Sequence, residues 1–338
     1  MFFHQEIVIM LTKVANLSLC FLFVISLCNI HYAQFAKDAP KTTNQGNGLG
    51  ENGTTLGEAK VMKWRCGAEI IAARGACSGI LVTTPLPTNW PEQTVRILEE
   101  DISPNIRVID RALPGGVKQM AISIPRLPSG ETVQAIKLYE IASCPQYAPD
   151  DTDSYRFATL QEIPTPLRVY LKPSPMIECN DPKIRALAKK IGVDEPTAWK
   201  QVEAVYDWVR NEITYKNGHL KGALAALRDK TGDCEELTSL FIAICRAKGI
   251  PARTVWVPGH CYPDFYLVDK NGKGVWFPCQ AAGSRAFGEM PETYIILQKG
   301  DSFPDPVTPS KRVRYIPEGV TGKGGEPRAN FIREKVEF

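Results

Sequence analysis

The sequence predicts an α+β protein in which an all-β sandwich precedes a domain of helices followed by strands. Three observations carry this. From Val61 to Ala142 short alternating runs (WRCGAEIIAA, GILVTTPLP, IRVIDRALP, KQMAISIP, TVQAIKLYEIA) are separated by turn residues at Gly75, Pro114-Gly115-Gly116 and Pro128-Ser129-Gly130, the spacing of a sandwich. After Pro164 the apolar period changes to that of amphipathic helices, then returns to strands beyond Arg253. Between these lies GDCEELTSLFIAICRAKGIP, Gly232 to Pro251, a turn, a cysteine, a helix and a hard stop.

The chain has 338 residues, room for two domains, with a formal net charge of +3 and ordinary hydrophobic (44%) and charged (23%) fractions. No basic block and no basic stripe interleaved with aromatics occurs, so no nucleic-acid partner is expected. At the amino terminus Lys13 precedes an apolar run from Leu17 to Ile30, long enough for a signal-peptide core and short for a spanning helix. Residues 1–33 are read as a signal peptide with cleavage after Ala33, and the protein as exported, periplasmic or extracellular. Met10 is an alternative start. An uncleaved anchor or a lipid on Cys28 is the only expected membrane contact, and Leu27 is large for the residue before a lipidated cysteine. Residues 34–60, polar and glycine-rich, read as a flexible linker.

The sandwich spans 61–143. Trp90, in PLPTNWPEQ, is read as packed. Residues 144–164 form an acidic, proline-containing linker; Asp150, Asp151 and Asp153 lack the glycine and final glutamate of a dedicated calcium loop. The second domain spans 165–298. Asp181-Pro182 opens a helix with Ile184, Leu187, Ala188 and Ile191 on one face and Gly192 as its stop. Trp199, Val202, Val205, Tyr206, Val209 and Ile213 define a second helix. At this spacing Trp208 and Tyr215 fit core packing better than a substrate cleft. A short GALAALRDK run follows. Strands are expected at Thr254–Val257, Tyr262–Val268 and Val275–Pro278, with a turn at 269–272. Residues 299–338 read as a polar C-terminal extension, and GVTGKGGEP within it as a loop, without the spacing or the Ser/Thr of a phosphate loop.

Asp233 is a suitable helix cap for Cys234, which falls in the first turn, and Leu237, Leu240, Phe241 and Ile244 form the buried stripe. Helix N-termini carry unpaired N–H groups and partial positive charge, which favour a thiolate and, later, an oxyanion. Against this, cysteine often serves as a small buried hydrophobe, and the neighbouring Glu235 and Glu236 disfavour a thiolate. A base must face the sulfur and a third group must orient the base. Only His219 and His260 remain after signal removal, and His260 begins HCYPDFYLV; a polar Gln280 follows in VWFPCQ.

ITYKNGHLKGALAALRDKTGDC, GIPARTVWV, HCYPDFYL and VWFPCQ together resemble the transglutaminase-like superfamily, over roughly Leu171 to Gly283, about a third of the chain. The resemblance implies a papain-like cysteine-hydrolase core with Cys234 as nucleophile and His260 as base. The family's aspartate, at the end of W-x-P-x-D, is Gln280 here: its amide can orient an imidazole but cannot offset an imidazolium. The implied activity is cleavage of amide or peptide bonds in a protein or peptide substrate, of the cell envelope for an exported chain. Hydrolysis is preferred over cross-linking because water needs no acceptor site. The alternative is an inactive binding or scaffold protein of that fold. No cofactor and no metal is expected, since no C-x-x-C pair exists. Cys66 with Cys77 and Cys261 with Cys279 are candidate disulfides; a register slip would instead set Cys279 beside His260, and Asp264 is a further candidate for its partner.

Overall fold

The computed structural model describes residues 53–305, 308 and 310–337. The expected signal segment, Cys28 and the linker up to Asn52 lie outside them.

Strand β1 (Lys60–Ile71) buries Met62, Trp64, Cys66, Ala68 and Ile70, every second residue, because successive side chains of a strand leave on opposite faces. Five antiparallel strands follow: β2 (Cys77–Leu86), β3 (Gln93–Ile102), β4 (Arg107–Leu113), β5 (Val117–Leu127) and β6 (Thr132–Ser143). One sheet pairs β1 with β6 and β6 with β3; the other pairs β2 with β5 and β5 with β4. Ile80, Val82, Met120, Ile122 and Ile124 of the second sheet meet the buried face of β1 in one core.

The helices are α1 (Pro182–Ala188), α2 (Ala198–Glu212), α3 (Gly222–Asp229) and α4 (Cys234–Ala247). Asp181 caps α1, its carboxylate accepting the Lys183 N–H at 2.8 Å. α1 stops before Ile191, short of the periodic pattern, and Gly192 turns the chain at φ +66°. Strands β7 (Ala252–Val257), β8 (His260–Val268), β9 (Gly274–Pro278) and β10 (Gln298–Lys299) form a sheet in the order β9-β8-β7-β10. The apolar stripe of α4 packs with Phe265 and Leu267 of β8 in the main core, while the alternate residue Tyr262 packs with Val255, Val257 and Trp90 on the other face.

The tail departs from expectation. GVTGKG is not a loop but β11 (Gly319–Gly324), paired with β2, and β12 (Arg328–Val336) pairs with β1 along its whole length. Each sandwich sheet thus has four strands, and the helical domain is inserted between the first six and the last two. The sequence signal is weak because an edge strand is held by backbone hydrogen bonds and needs few apolar side chains; Thr321 to Gly324 are exposed. The chain crosses between sheets at Gly325, whose N–H donates to Ala76 O at 3.0 Å, beside the Arg74–Glu326 ion pair.

The expected linkers are also partly built in. Thr55–Leu56 pairs with Gln146–Tyr147. Arg156 exchanges backbone hydrogen bonds with Val268 (2.9 and 3.0 Å), and Tyr155 enters the main core. The two regions share buried structure. Ile295 and Leu297 join the sandwich core, and the buried Gln93 side chain bonds both backbone groups of Ile296.

Candidate active site

Cys234 is the first residue of α4. Asp233 caps the helix: its carboxylate accepts the Glu235 N–H at 2.9 Å, and the Glu236 carboxylate returns to the Asp233 N–H at 3.2 Å. Glu236 is buried and also accepts the N–H groups of Lys221 (2.9 Å) and Gly222 (3.4 Å). Burial opposes its charge, but these N–H donors outweigh burial and lower its pKa. The two glutamates that counted against a thiolate are therefore occupied, Glu236 by backbone N–H groups and Glu235 by an ion pair with Arg314.

The sulfur of Cys234 is half-buried, and its pKa is lowered to about 4. The Cys261 thiol is the largest cause, hydrogen-bonding to it; a hydrogen bond and the positive charge of His260 add to this, against burial. The Cys261 thiol also lies 3.7 Å from the Cys234 carbonyl oxygen. His260 starts β8, and its Nε2 lies 2.8 Å from Gln280 Oε1. Burial would lower the His260 pKa, but the hydrogen bonds to Cys234 and Gln280 and the charges of Cys234 and Glu292 raise it. Both shifts favour the thiolate–imidazolium form of the pair.

Gln280 follows β9 and is buried. Its backbone is pinned from α2, where Tyr206 Oη and Arg210 Nη1 each donate to its carbonyl at 2.9 Å. Its Nε2 donates to Tyr294 Oη at 3.2 Å, and that hydroxyl donates to the Glu292 carboxylate. Cys234, His260 and Gln280 are therefore joined in series, with the imidazole between the thiol and the amide.

Residues 185–281 match the family model described as the transglutaminase-like superfamily. This segment is a transglutaminase-like domain. A solved structure from Cytophaga hutchinsonii, provisionally named a cysteine protease, is 16% identical, with a TM-score of 0.53 over 84% of this chain and 94% of that one. That likeness is one of fold. The periplasmic domain of TgpA from Pseudomonas aeruginosa is 14% identical, with a TM-score of 0.32 over 65% of this chain and 89% of that one. No curated protein matched the sequence.

The transglutaminase-like domain opens its thiol onto a cleft of about 770 Å³. One wall is its own, with Trp256, Gly259 and His260; the opposite wall is the sandwich, with Trp64 of β1 and Phe331 and Arg333 of β12. Arg314 and Tyr315 close one side. Apart from His260, none of these wall residues stands out in the sequence, since they come from segments far apart in the chain. Tyr215 is not a core residue: it is 54% exposed, and the charge of Cys234 helps to raise its pKa, after burial. Trp208 does pack against the core.

Among the described residues all eight cysteines are free thiols. Cys66 and Cys77 lie on strands of opposite sheets rather than on neighbours. Cys279 N–H bonds Pro263 O, which places Cys279 two residues along from Cys261 on the same face. Diagonal neighbours of that kind stand about 7–8 Å apart, beyond ordinary disulfide reach. Cys279 is sealed in the core away from His260, and Asp264 is engaged by Arg253 at 3.0 Å. Neither takes the place of Gln280. Asp151 accepts the Ser154 N–H at 3.2 Å and closes a turn.

Proposed function

We propose that the protein is an exported cysteine enzyme that hydrolyses amide or peptide bonds in a protein or peptide substrate, with Cys234 as nucleophile, His260 as acid–base and Gln280 as the group that orients it. The observation that carries this reading is the hydrogen bond of 2.8 Å from His260 Nε2 to Gln280 Oε1, which leaves Nδ1 for the sulfur. Cys234 sulfur attacks the substrate carbonyl and a C–S bond forms. The imidazolium gives its proton to the departing amine as the C–N bond breaks. Water, deprotonated by the now neutral imidazole, attacks the thioester: the C–O bond forms, the C–S bond breaks, and the acid leaves with the thiolate and imidazolium restored. N–H groups at the head of α4 stabilise the oxyanion in both steps. The cleft is walled by aromatic rings, which suits an extended peptide with apolar side chains. Water needs no second site, and this favours hydrolysis over transfer to a lysine amine.

Labelling with a thiol-directed acylating probe and peptide mapping by mass spectrometry tests the site. Label confined to Cys234, lost in Cys234→Ala and His260→Ala, is the expected result. Incubating the labelled protein with a fluorescent primary amine then separates hydrolysis from amine transfer. A Cys234 no more reactive than an ordinary thiol would return the chain to the reading of a binding scaffold. Fractionation of cells making the full chain tests export, expected from Lys13 and the apolar run after it; full-length soluble protein in the cytosol would refute it.

A further inference from the structure

The proposed mechanism relies on a positive imidazole whose hydrogen-bonding partner is a neutral amide. Gln280 can fix the ring, yet it supplies no charge to hold the imidazolium. The nearest carboxylate in line with the ring is two hydrogen bonds further out. His260 Nε2 donates to Gln280 Oε1 at 2.8 Å, Gln280 Nε2 donates to Tyr294 Oη at 3.2 Å, and Tyr294 Oη donates to the Glu292 carboxylate. The Tyr294 ring also rests against His260, with centroids 6.0 Å apart.

We infer that Glu292, acting through Tyr294 and Gln280, is the carboxylate that orients and electrostatically supports His260 where the site has no aspartate. The inference rests on the reading of Cys234 and His260 given above. Both residues are positioning residues, since neither touches the sulfur or the substrate.

The direction of every bond in the chain follows from its end. A carboxylate can only accept, so the single tyrosine proton points to Glu292. Burial, with the Glu292 bond, pushes the Tyr294 hydroxyl up to about 12, and it keeps that proton. The remaining lone pairs of Tyr294 Oη then face Gln280, which must present its NH2 there and its oxygen to His260. That oxygen requires a proton on Nε2, which selects the tautomer whose Nδ1 is the base. Reversing Gln280 would set two donors against each other.

The other charges around His260 are already matched or belong to the reaction. From α4 come Cys234, its partner, and Glu235, which pairs with Arg314. Cys261 follows on its own strand, with a pKa well above the ordinary thiol value because of its hydrogen bond to Cys234 and its burial. Across the cleft Arg333 pairs with Glu318 at 3.1 Å. Glu292 is the carboxylate that remains on the Gln280 side.

The test is the rate of Cys234 alkylation by iodoacetamide against pH in the full chain, for wild type, Glu292→Gln and Tyr294→Phe. Wild type should show a first inflection near pH 4, as the thiolate forms, and a second where the imidazolium loses its proton. Glu292 is exposed, so Glu292→Gln folds, and its amide still accepts from Tyr294; only the charge is removed. The second inflection should fall by about 0.3–0.7 pH unit, as expected for one charge at this remove in a largely aqueous setting. The shift should shrink in about 1 M salt. Tyr294→Phe should give a similar shift and slow the plateau by about tenfold, because Gln280 loses its orientation. A Glu292→Gln profile superimposed on a wild-type profile that keeps both inflections overturns the role of Glu292 and leaves the thiol site standing. A wild-type profile with one inflection near that of an ordinary thiol overturns both.

Discussion

The two ends of α4 both carry charged side chains, and only one end opens onto a cleft. At the last turn Arg246 is fully buried and closed: it donates to Ala252 O, Lys172 O and Ser174 Oγ and grips both oxygens of Asp301 at 2.8 Å. Lys248 beside it donates to the carbonyls of Ala188 (2.9 Å) and Ile191 (2.8 Å). Cys245, on the same helix, has its pKa pushed far up by burial. At the first turn Cys234 has its pKa lowered to about 4 and looks into an open cleft. One residue type behaves oppositely within fourteen residues of helix. What separates the two cysteines is access to the cleft and hydrogen bonds to the sulfur from Cys261 and His260; Cys245 has the charges of Lys248 and Arg246 nearby, and burial outweighs them.

That contrast can be broken from either end. The largest effect is expected from Cys234→Ala, which should abolish acyl-probe labelling and lower any amidase rate by about a millionfold, the scale of losing a catalytic nucleophile. Thermal unfolding should barely move. Asp301→Ala does the reverse. It strands the Arg246 charge and should cost about 3–5 kcal/mol in urea unfolding, while the folded fraction keeps its alkylation profile. Gln280→Ala should lower Cys234 reactivity by roughly one to two orders of magnitude with little change in stability, since it frees the ring without removing the nucleophile. An unchanged rate would exclude Gln280 as the orienting group.

The pH dependence sharpens the comparison. Cys234, with a pKa of about 4, is already a thiolate at pH 5, so its alkylation rate should be near plateau there. An ordinary thiol would have fallen more than about a thousandfold below its own plateau at that pH. Amide hydrolysis needs the imidazolium as well, to protonate the departing amine. It should therefore rise through the Cys234 pKa and decline above that of His260, which is raised from its ordinary value of 6.5. A hydrolysis profile that climbs only above pH 8 would contradict the ion pair.

The thiol site was legible where chemistry and period coincide. Gly232, Asp233 and Gly249 frame α4, and strand alternation sets Gln280 on the same side as His260. The observed strands Ala252–Val257, His260–Val268 and Gly274–Pro278 lie within two residues of expectation. Where neither operates, the reading fails. Tyr294 and Glu292 sit in an irregular segment, whose hydrogen bonds depend on tertiary placement. Cys261 adjoins His260 and looks in sequence like half of a disulfide, because its contact with Cys234 comes from the packing of the strand end against the helix start. β11 and β12 escape notice because glycine and charged residues dominate them, and their few core-packed apolar residues, Val320, Ala329 and Phe331, make no clear run. The sandwich strands, with turns between alternating runs, were the clearest of all.

The late arrival of β12 has a consequence for how the molecule is made. Its Asn330 side chain bonds Glu69 across 261 residues of chain. Closing so long a loop is entropically costly, and synthesis delivers the partner strand only after the whole inserted domain. Until then the sandwich lacks an edge in each sheet, and Phe331 and Arg333 are missing from the wall that faces Cys234. The sulfur and its histidine, fewer than thirty residues apart, can meet long before that. A nascent chain therefore carries a thiol without a finished groove beside it, and the geometry that would grip a substrate appears only as the last strand docks. Completion of the fold and readiness of the site become a single event.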